Sequence, residues 1–274
     1  MNRPLTWHYH CHVTSTQVRS QEYPTQLSVT LLLDYTVHMN LLIIDDPYSD
    51  KTVVRVTGRQ LSHLLTVRQS VIGDSIRVGR LNGYIGRGEI ITINDDFAEL
   101  RLTLDEAPPD PLPLVIILAL PRPKMMRRII QSVASMGVKK LYLINSYKVE
   151  KSFWQSPLMQ PDSLHQELIL GLEQSVDTTL PDIVLKKRFL PFVEDELPDI
   201  IEGHKALVAH PGSINACPIN THHRTCIAIG PEGGFIPYEI QKLANLGFEP
   251  VHLGPRILRV ETAVPSLISR LYPA

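Results

Sequence analysis

Two stretches of this chain combine residue types that could do chemistry: "AIGPEGGF" at residues 228–235 and "HLGPRILRVETA" at residues 252–263. The first sets three glycines and a proline around a single carboxylate, Glu232, directly after an apolar β-branched run. A phosphate loop would require a lysine and a hydroxyl residue straight after the glycines. Phe235 and Ile236 stand there instead, and no G-x-G-x-x-G follows any apolar run, which disfavours triphosphate and dinucleotide binding. Glycines in such a loop let a ligand lie against bare backbone, whose amides and carbonyls then read it. One Gly-Pro loop alone is a turn. Two of them after successive strands point to a single composite pocket.

The elements that must hold these loops follow from the pattern before them. From "LVIILAL" (114–120) onward, apolar runs alternate with helical stripes, as in an α/β domain whose ligand crevice lies at the carboxyl ends of parallel strands. "KKLYLIN", "DIVLKK", "HKALVAHPG", "RTCIAIG" and "EPVHLG" read as further strands. "KMMRRIIQSVASMG" spaces Met125, Ile129, Val133 and Met136 for one helix face, and Gly137 stops it. "SLHQELILGLEQSV", "IPYEIQKLANLG" and "LRVETAVPSLISRLY" complete the helices, the last despite Pro265. Residues 39–107 differ: short runs separated by Gly, Asn and Asp predict a small antiparallel β-barrel or sandwich. One helix around Leu61, Leu64, Leu65 and Val67 interrupts it. The prolines of "APPDPLP" (107–113) mark the boundary, so the α/β domain is expected over 112–274. Residues 1–38 lack periodicity and read as a disordered extension or the product of an upstream start.

Composition narrows the function classes. A chain of 274 residues, 43% hydrophobic, can bury a sizeable core. Cys11, Cys217 and Cys226 form no C-x-x-C, which fits a reducing, cytoplasmic setting. The run "LSVTLLLDYTVHMNLLII" is broken by Asp34 and His38, so neither a membrane span nor a secretion signal is expected. "HYHCH" (8–12) offers soft metal ligands, yet adjacent ligands lack the partner pair that closes a tetrahedral site, and no metal is expected. Net charge is -1, but residues 122–151 hold eight basic side chains against one acid. A field focused in this way can recruit a polyanion without making the whole surface basic.

The pair "IGPEGGF" and, about twenty residues later, "LGPRILRVETA" closely resembles the RsmE family of 16S rRNA uridine N3-methyltransferases, in the SPOUT superfamily. The resemblance runs from about Met39 to the C-terminus and includes "LVAHPG", "EQSVDTTLPDI" and the basic helix. It implies a PUA-like β-barrel that helps hold RNA, followed by a SPOUT α/β domain tied in a trefoil knot. It also implies a homodimer that binds S-adenosylmethionine in the knot loops. Carried over by motif, the cofactor pocket uses His210, Pro211, Gly230, Glu232, Gly233, Gly234, Leu253, Gly254, Ile257 and Leu258. The implied substrate is 16S rRNA of the small ribosomal subunit, at uridine 1498. Related readings are a SPOUT ribose 2'-O-methyltransferase acting on another RNA and a non-catalytic RNA-binding protein.

For that reaction N3 of uridine must lose its proton and align with the methyl donor, so orientation carries much of the rate. Arg259 is the first candidate to stabilise the forming anion, with Arg256 as helper, and Glu261 or Glu232 as proton acceptor. Each glutamate could equally fix a helix terminus or loop by accepting backbone amides. Arg122, Lys124, Arg127 and Arg128 would hold flanking phosphates, and Arg55, Arg59, Arg68 and Arg87 would extend the track. The chain departs from the family pattern in several places. Val176 and Asp177 replace a usual Gly and Arg, Val260 replaces a Thr, and the Lys and Glu common on the basic helix are replaced within "QSVASMG". The family's N-terminal arginine has no clear match around Met39.

Overall fold

The computed structural model describes residues 41–46 and 51–273. The extension at 1–38, with its "HYHCH" cluster and Cys11, lies outside the described residues. Five strands form the first sheet: β1 (Leu42–Ile44), β2 (Val53–Val56), β3 (Ser75–Arg80), β4 (Ile85–Ile93) and β5 (Ala98–Glu106), in the order β1-β3-β4-β5-β2. All pairs are antiparallel except β1 with β3, which run parallel. The sheet is therefore mixed, where the sequence pattern suggested an antiparallel one. The reason is the crossover: β2 and helix α1 (Gly58–Thr66) separate β1 from β3, the kind of long connection a parallel pair needs. Inward residues Val54, Val56, Ile76, Val78, Ile90 and Leu100 pack with Leu61 and Leu64 of α1 into a small core.

Seven parallel strands form the second sheet. They are β6 (Leu114–Ala119), β7 (Lys140–Ile144), β8 (Asp182–Lys186), β9 (Lys205–Ala209), β10 (Asn215–Ala216), β11 (Thr225–Ile229) and β12 (Glu249–His252). Their order is β10-β12-β9-β11-β6-β7-β8. Every residue of β11 is buried, as a strand covered on both faces should be. Helices α2 (Pro123–Ser135), α3 (Pro161–Ser175), α6 (Pro237–Asn245) and α7 (Val260–Leu271) connect or cover the strands. The buried stripe of α2 is Met126, Ile129, Ile130, Val133 and Ala134, while Met125 and Met136 are only partly buried. The helix is pressed by both α3 and α7, so its apolar face is wider than a single stripe. Gly171 of α3 allows the closest approach: a Cβ there would lie 2.6 Å from the Gln131 carbonyl oxygen.

One region had no sequence signal. Between β8 and β9 the chain forms α4 (Phe189–Pro191), a π-helical turn (Phe192–Glu196) and α5 (Leu197–Ile201), burying Phe192, Val193 and Leu197. Pro191, Pro198 and the acidic run 194–196 break the periodicity that would have announced it.

The two sheets meet through specific contacts. Leu41, Ile43, Leu81 and Ile85 join the core of the larger sheet. The loop after α3 docks into the β3–β4 hairpin: the buried Thr178 hydroxyl donates to the Gly83 carbonyl (2.5 Å), and its own carbonyl accepts the Asn82 N–H (2.8 Å). That loop starts from Val176 in the left-handed region (φ 58°), a costly conformation for a β-branched residue. Next to it, the buried Asp177 carboxylate accepts from Lys139 Nζ (2.5 Å) and the Thr179 N–H (2.8 Å). At the chain's other end, the Tyr272 hydroxyl lies 3.0 Å from the Pro113 carbonyl and 2.6 Å from that of His223. Among the described residues no helix is long and apolar enough to cross a membrane.

Candidate functional site

The strand order creates the site. From β6 the chain builds outward to β7 and β8, then crosses to β9, returns inward to β11 and leaves again to β12. Reversals of this kind leave a crevice at the carboxyl ends of the strands. Here the ends of β9, β11 and β12 open into one cleft, walled by Ile229, Val251, Leu253, Val260 and Leu267 and by the backbone of two glycine loops. All the residues carried over as cofactor ligands line it except Gly233. A Cβ on Gly230 would sit 2.9 Å from the Phe235 nitrogen, so the first loop folds back on its own backbone there. Gly234 (φ 66°) and Gly254 (φ 119°) occupy the left-handed half of conformational space, and a Cβ on either meets no atom within 4 Å. The cleft wall is bare at both points.

Gly233 faces elsewhere. A Cβ on it would lie 2.8 Å from Lys148 Cδ, and Lys148 Nζ donates to the Gly233 carbonyl (2.6 Å). Its neighbour Glu232 lines the cleft, and Oε1 of its carboxylate accepts the Arg122 backbone N–H (3.0 Å). The first loop has a third anchor in Glu239, a side chain buried to 3% exposure. Its Oε1 accepts the Tyr147 N–H (2.8 Å) and its Oε2 the Ile236 N–H (3.0 Å). The second bond is half of a capping box, because Ile236 has no side-chain acceptor to complete it. That missing Ser or Thr hid Glu239 from a reading of the sequence. Lys148 gave no local signal: it acts on the Gly233 carbonyl, which only the fold places beside it.

The second loop ends at Arg259, the N-cap of α7, whose carbonyl accepts the N–H groups of Thr262 (3.0 Å) and Ala263 (2.7 Å). Among the described residues the Arg259 guanidinium and the Glu261 carboxylate have no hydrogen-bond or ion-pair partner, and neither lines the cleft itself. Arg256 does line it and is exposed. Of the basic residues at the start of α2, Arg122, Lys124 and Arg128 are exposed and without an ion-pair partner among the described residues. Arg127 pairs with Glu167 (3.2 Å). In the small sheet Arg55 pairs with Glu99 (2.9 Å) and Arg59 with Glu173 (2.7 Å), while Arg87 is exposed. Trp154 donates from Nε1 to Asn145 Oδ1 (2.9 Å), and Tyr147 is 79% exposed. Among the described residues no group of three or more His, Cys, Asp or Glu converges as a metal site.

Residues 108–272, which include the whole seven-stranded sheet and both glycine loops, match the family model of the RNA methyltransferase domain. The ribosomal RNA small subunit methyltransferase E of Buchnera aphidicola subsp. Schizaphis graminum is 30% identical over 209 residues, spanning 72% of this chain and 81% of that protein. The chain belongs to the ribosomal RNA small subunit methyltransferase E family. A second member, from Treponema pallidum, is 29% identical over 218 residues, covering 77% of this chain and 81% of its own length. Among solved structures, the methyltransferase E of Neisseria gonorrhoeae bound to S-adenosyl methionine superposes with a TM-score of 0.66 at 21% identity. It covers 85% of this chain and 96% of that one. The fold is thus the SPOUT α/β methyltransferase fold of this family. In this family member the two glycine loops, about twenty residues apart in sequence, line one cleft.

Proposed function

We propose that the chain uses S-adenosylmethionine to methylate N3 of a uridine in 16S rRNA of the small ribosomal subunit, at uridine 1498. The observation that carries this reading is the convergence of the two glycine loops on one apolar, backbone-lined cleft, with Arg259 between the cleft-lining Leu258 and Val260. The residues fit such a cofactor. Bare backbone at Gly234 and Gly254 leaves room against the wall, and Ile229, Val251 and Leu267 suit an uncharged ring system. His210, Pro211, Gly230, Leu253, Ile257 and Leu258 would complete the hold. When bound, the cofactor supplies an electrophilic methyl group.

The chain's own residues then have three tasks. The target base must arrive unpaired and unstacked, since N3 is occupied in a Watson-Crick pair. Arg122, Lys124, Arg127, Arg128 and Arg256 hold flanking phosphates to present it. Arg259 stabilises the anion that forms as the N3 proton leaves. Glu261, whose carboxylate has no partner among the described residues, is the better proton acceptor. Glu232 already accepts the Arg122 amide, which favours a loop-fixing role for it. The region 39–107, which contains the five-stranded sheet, serves as a PUA-like RNA-holding domain, with the methyltransferase domain at 112–274. The protein acts in the cytoplasm as a homodimer, for which the exposed Ile214, Ile219 and Ile257 offer apolar surface.

Two measurements test this. Calorimetry should show S-adenosylmethionine binding, and absence of affinity would sink the enzyme reading. Mass mapping of 16S rRNA from cells lacking the protein should show uridine 1498 unmethylated. Full methylation there, with no other methylase present, would overturn the substrate assignment.

A further inference from the structure

The two glycine loops are held in very different ways, and His252 accounts for the second. His252 closes β12, where its carbonyl accepts the Cys217 N–H (2.8 Å) and the neighbouring Val251 carbonyl accepts the His210 N–H (2.9 Å). The backbone at the start of the loop is therefore fixed by strands on both sides. The imidazole lines the cleft, and its Nδ1 accepts the Gly254 N–H at 2.9 Å. An N–H aimed at Nδ1 requires the lone pair there, so the ring is the tautomer protonated at Nε2.

Gly254 needs such a hold. Its φ of 119° is a conformation glycine enters freely and leaves as freely. Among the described residues no hydrogen bond ties residues 255–258, and Ile257 is 83% exposed. The next tie downstream is the Arg259 carbonyl at the start of α7. The loop is pinned at its exit by a helix terminus and at its entry by one imidazole.

We infer that His252 is a positioning residue: its Nδ1 latches Gly254 and so shapes the second wall of the cofactor cleft. The assignment rests on the cofactor reading of this cleft. It makes a chemical distinction that packing alone does not. Asparagine carries an oxygen that reaches the N–H two residues on, as in an Asx turn, whereas alanine offers no acceptor.

The test has two arms. In the cofactor-free wild-type protein, nitrogen-15 spectra of the imidazoles should show His252 protonated at Nε2 with Nδ1 bare; an Nδ1-protonated ring overturns the latch. In kinetics with saturating RNA, His252→Ala should raise KM for S-adenosylmethionine about fivefold while kcat falls less than about twofold, and His252→Asn should restore KM to near wild type. Equal losses in KM and kcat, or an asparagine variant as poor as alanine, also overturn it. If the wild-type protein bound no S-adenosylmethionine, the cofactor reading would fail while the tautomer measurement still judged the latch.

Discussion

The loop at residues 230–236 and the loop at 253–259 share a glycine-proline opening, yet the first is held by four hydrogen bonds from outside or across its turn and the second by His252 alone at its entry. Arg122, Lys148 and Glu239 tie the first loop to the ends of β6 and β7 and to the start of α6. Residues of low bond density and high exposure are drawn from the least stable end of a structure. The first loop is thus a fixed wall. The second is the part that can adjust, and it leads into Arg259 at the N-cap of α7.

The division of labour can be broken most severely at Arg259. Arg259→Ala should lower kcat about 100- to 1,000-fold with S-adenosylmethionine affinity kept, as for loss of one anion-stabilising donor. Parallel loss of affinity in calorimetry would make Arg259 a cofactor or folding residue and erase the contrast. Next comes Glu239→Ala, which removes the buried carboxylate that the Tyr147 and Ile236 N–H groups share. It should destabilise the protein by about 2–3 kcal/mol in urea unfolding, and a change under 1 kcal/mol would show that the first wall does not depend on its carboxylate. Lys148→Met removes an exposed tie from a loop with others, so cofactor affinity should change less than about threefold. If calorimetry instead gave a loss as large as that of His252→Ala, the two loops would be equally dependent on single bonds. The smallest effect is expected far from both loops: Val176→Gly relieves a left-handed β-branched residue and should stabilise by about 0.5 kcal/mol. A lower melting temperature in that variant would mean the valine side chain contributes packing that outweighs its backbone strain.

Val176 also shows what the sequence could and could not reveal. The family resemblance marks it as a departure from glycine, and the positive φ at that position supplies the reason a glycine is usual there. The central parallel strands were legible because they are continuous apolar runs such as "LVIILAL" and "TCIAI", buried on both faces, whereas the two-residue exposed β10 gave no such run. The two loops were legible because glycine, proline and charge cluster there and nowhere else in that spacing. What stayed hidden depends on distance in sequence. Glu239 reaches Tyr147, Glu232 reaches Arg122 and Lys148 reaches Gly233 across separations that no local period encodes. The parallel β1–β3 pair was missed for the same reason: strand direction is set by how the chain crosses over, and three apolar residues at 42–44 fit either sense.

The closure at Tyr272 has a consequence for how the chain is made. Its hydroxyl reaches the carbonyls of Pro113 and His223, and α7 lies against α2. The last helix is therefore part of the core begun at residue 114, so contacts of very long sequence separation must form before that core is complete. We predict that the larger sheet closes only after synthesis reaches the final helix, and that a nascent chain arrested at Arg259 stays open to protease. Resistance of that arrested chain would show that the sheet closes without α7. The cleft between the two glycine loops, lined in part by Val260, Ala263 and Leu267 of α7, would then take shape only once that helix has been made.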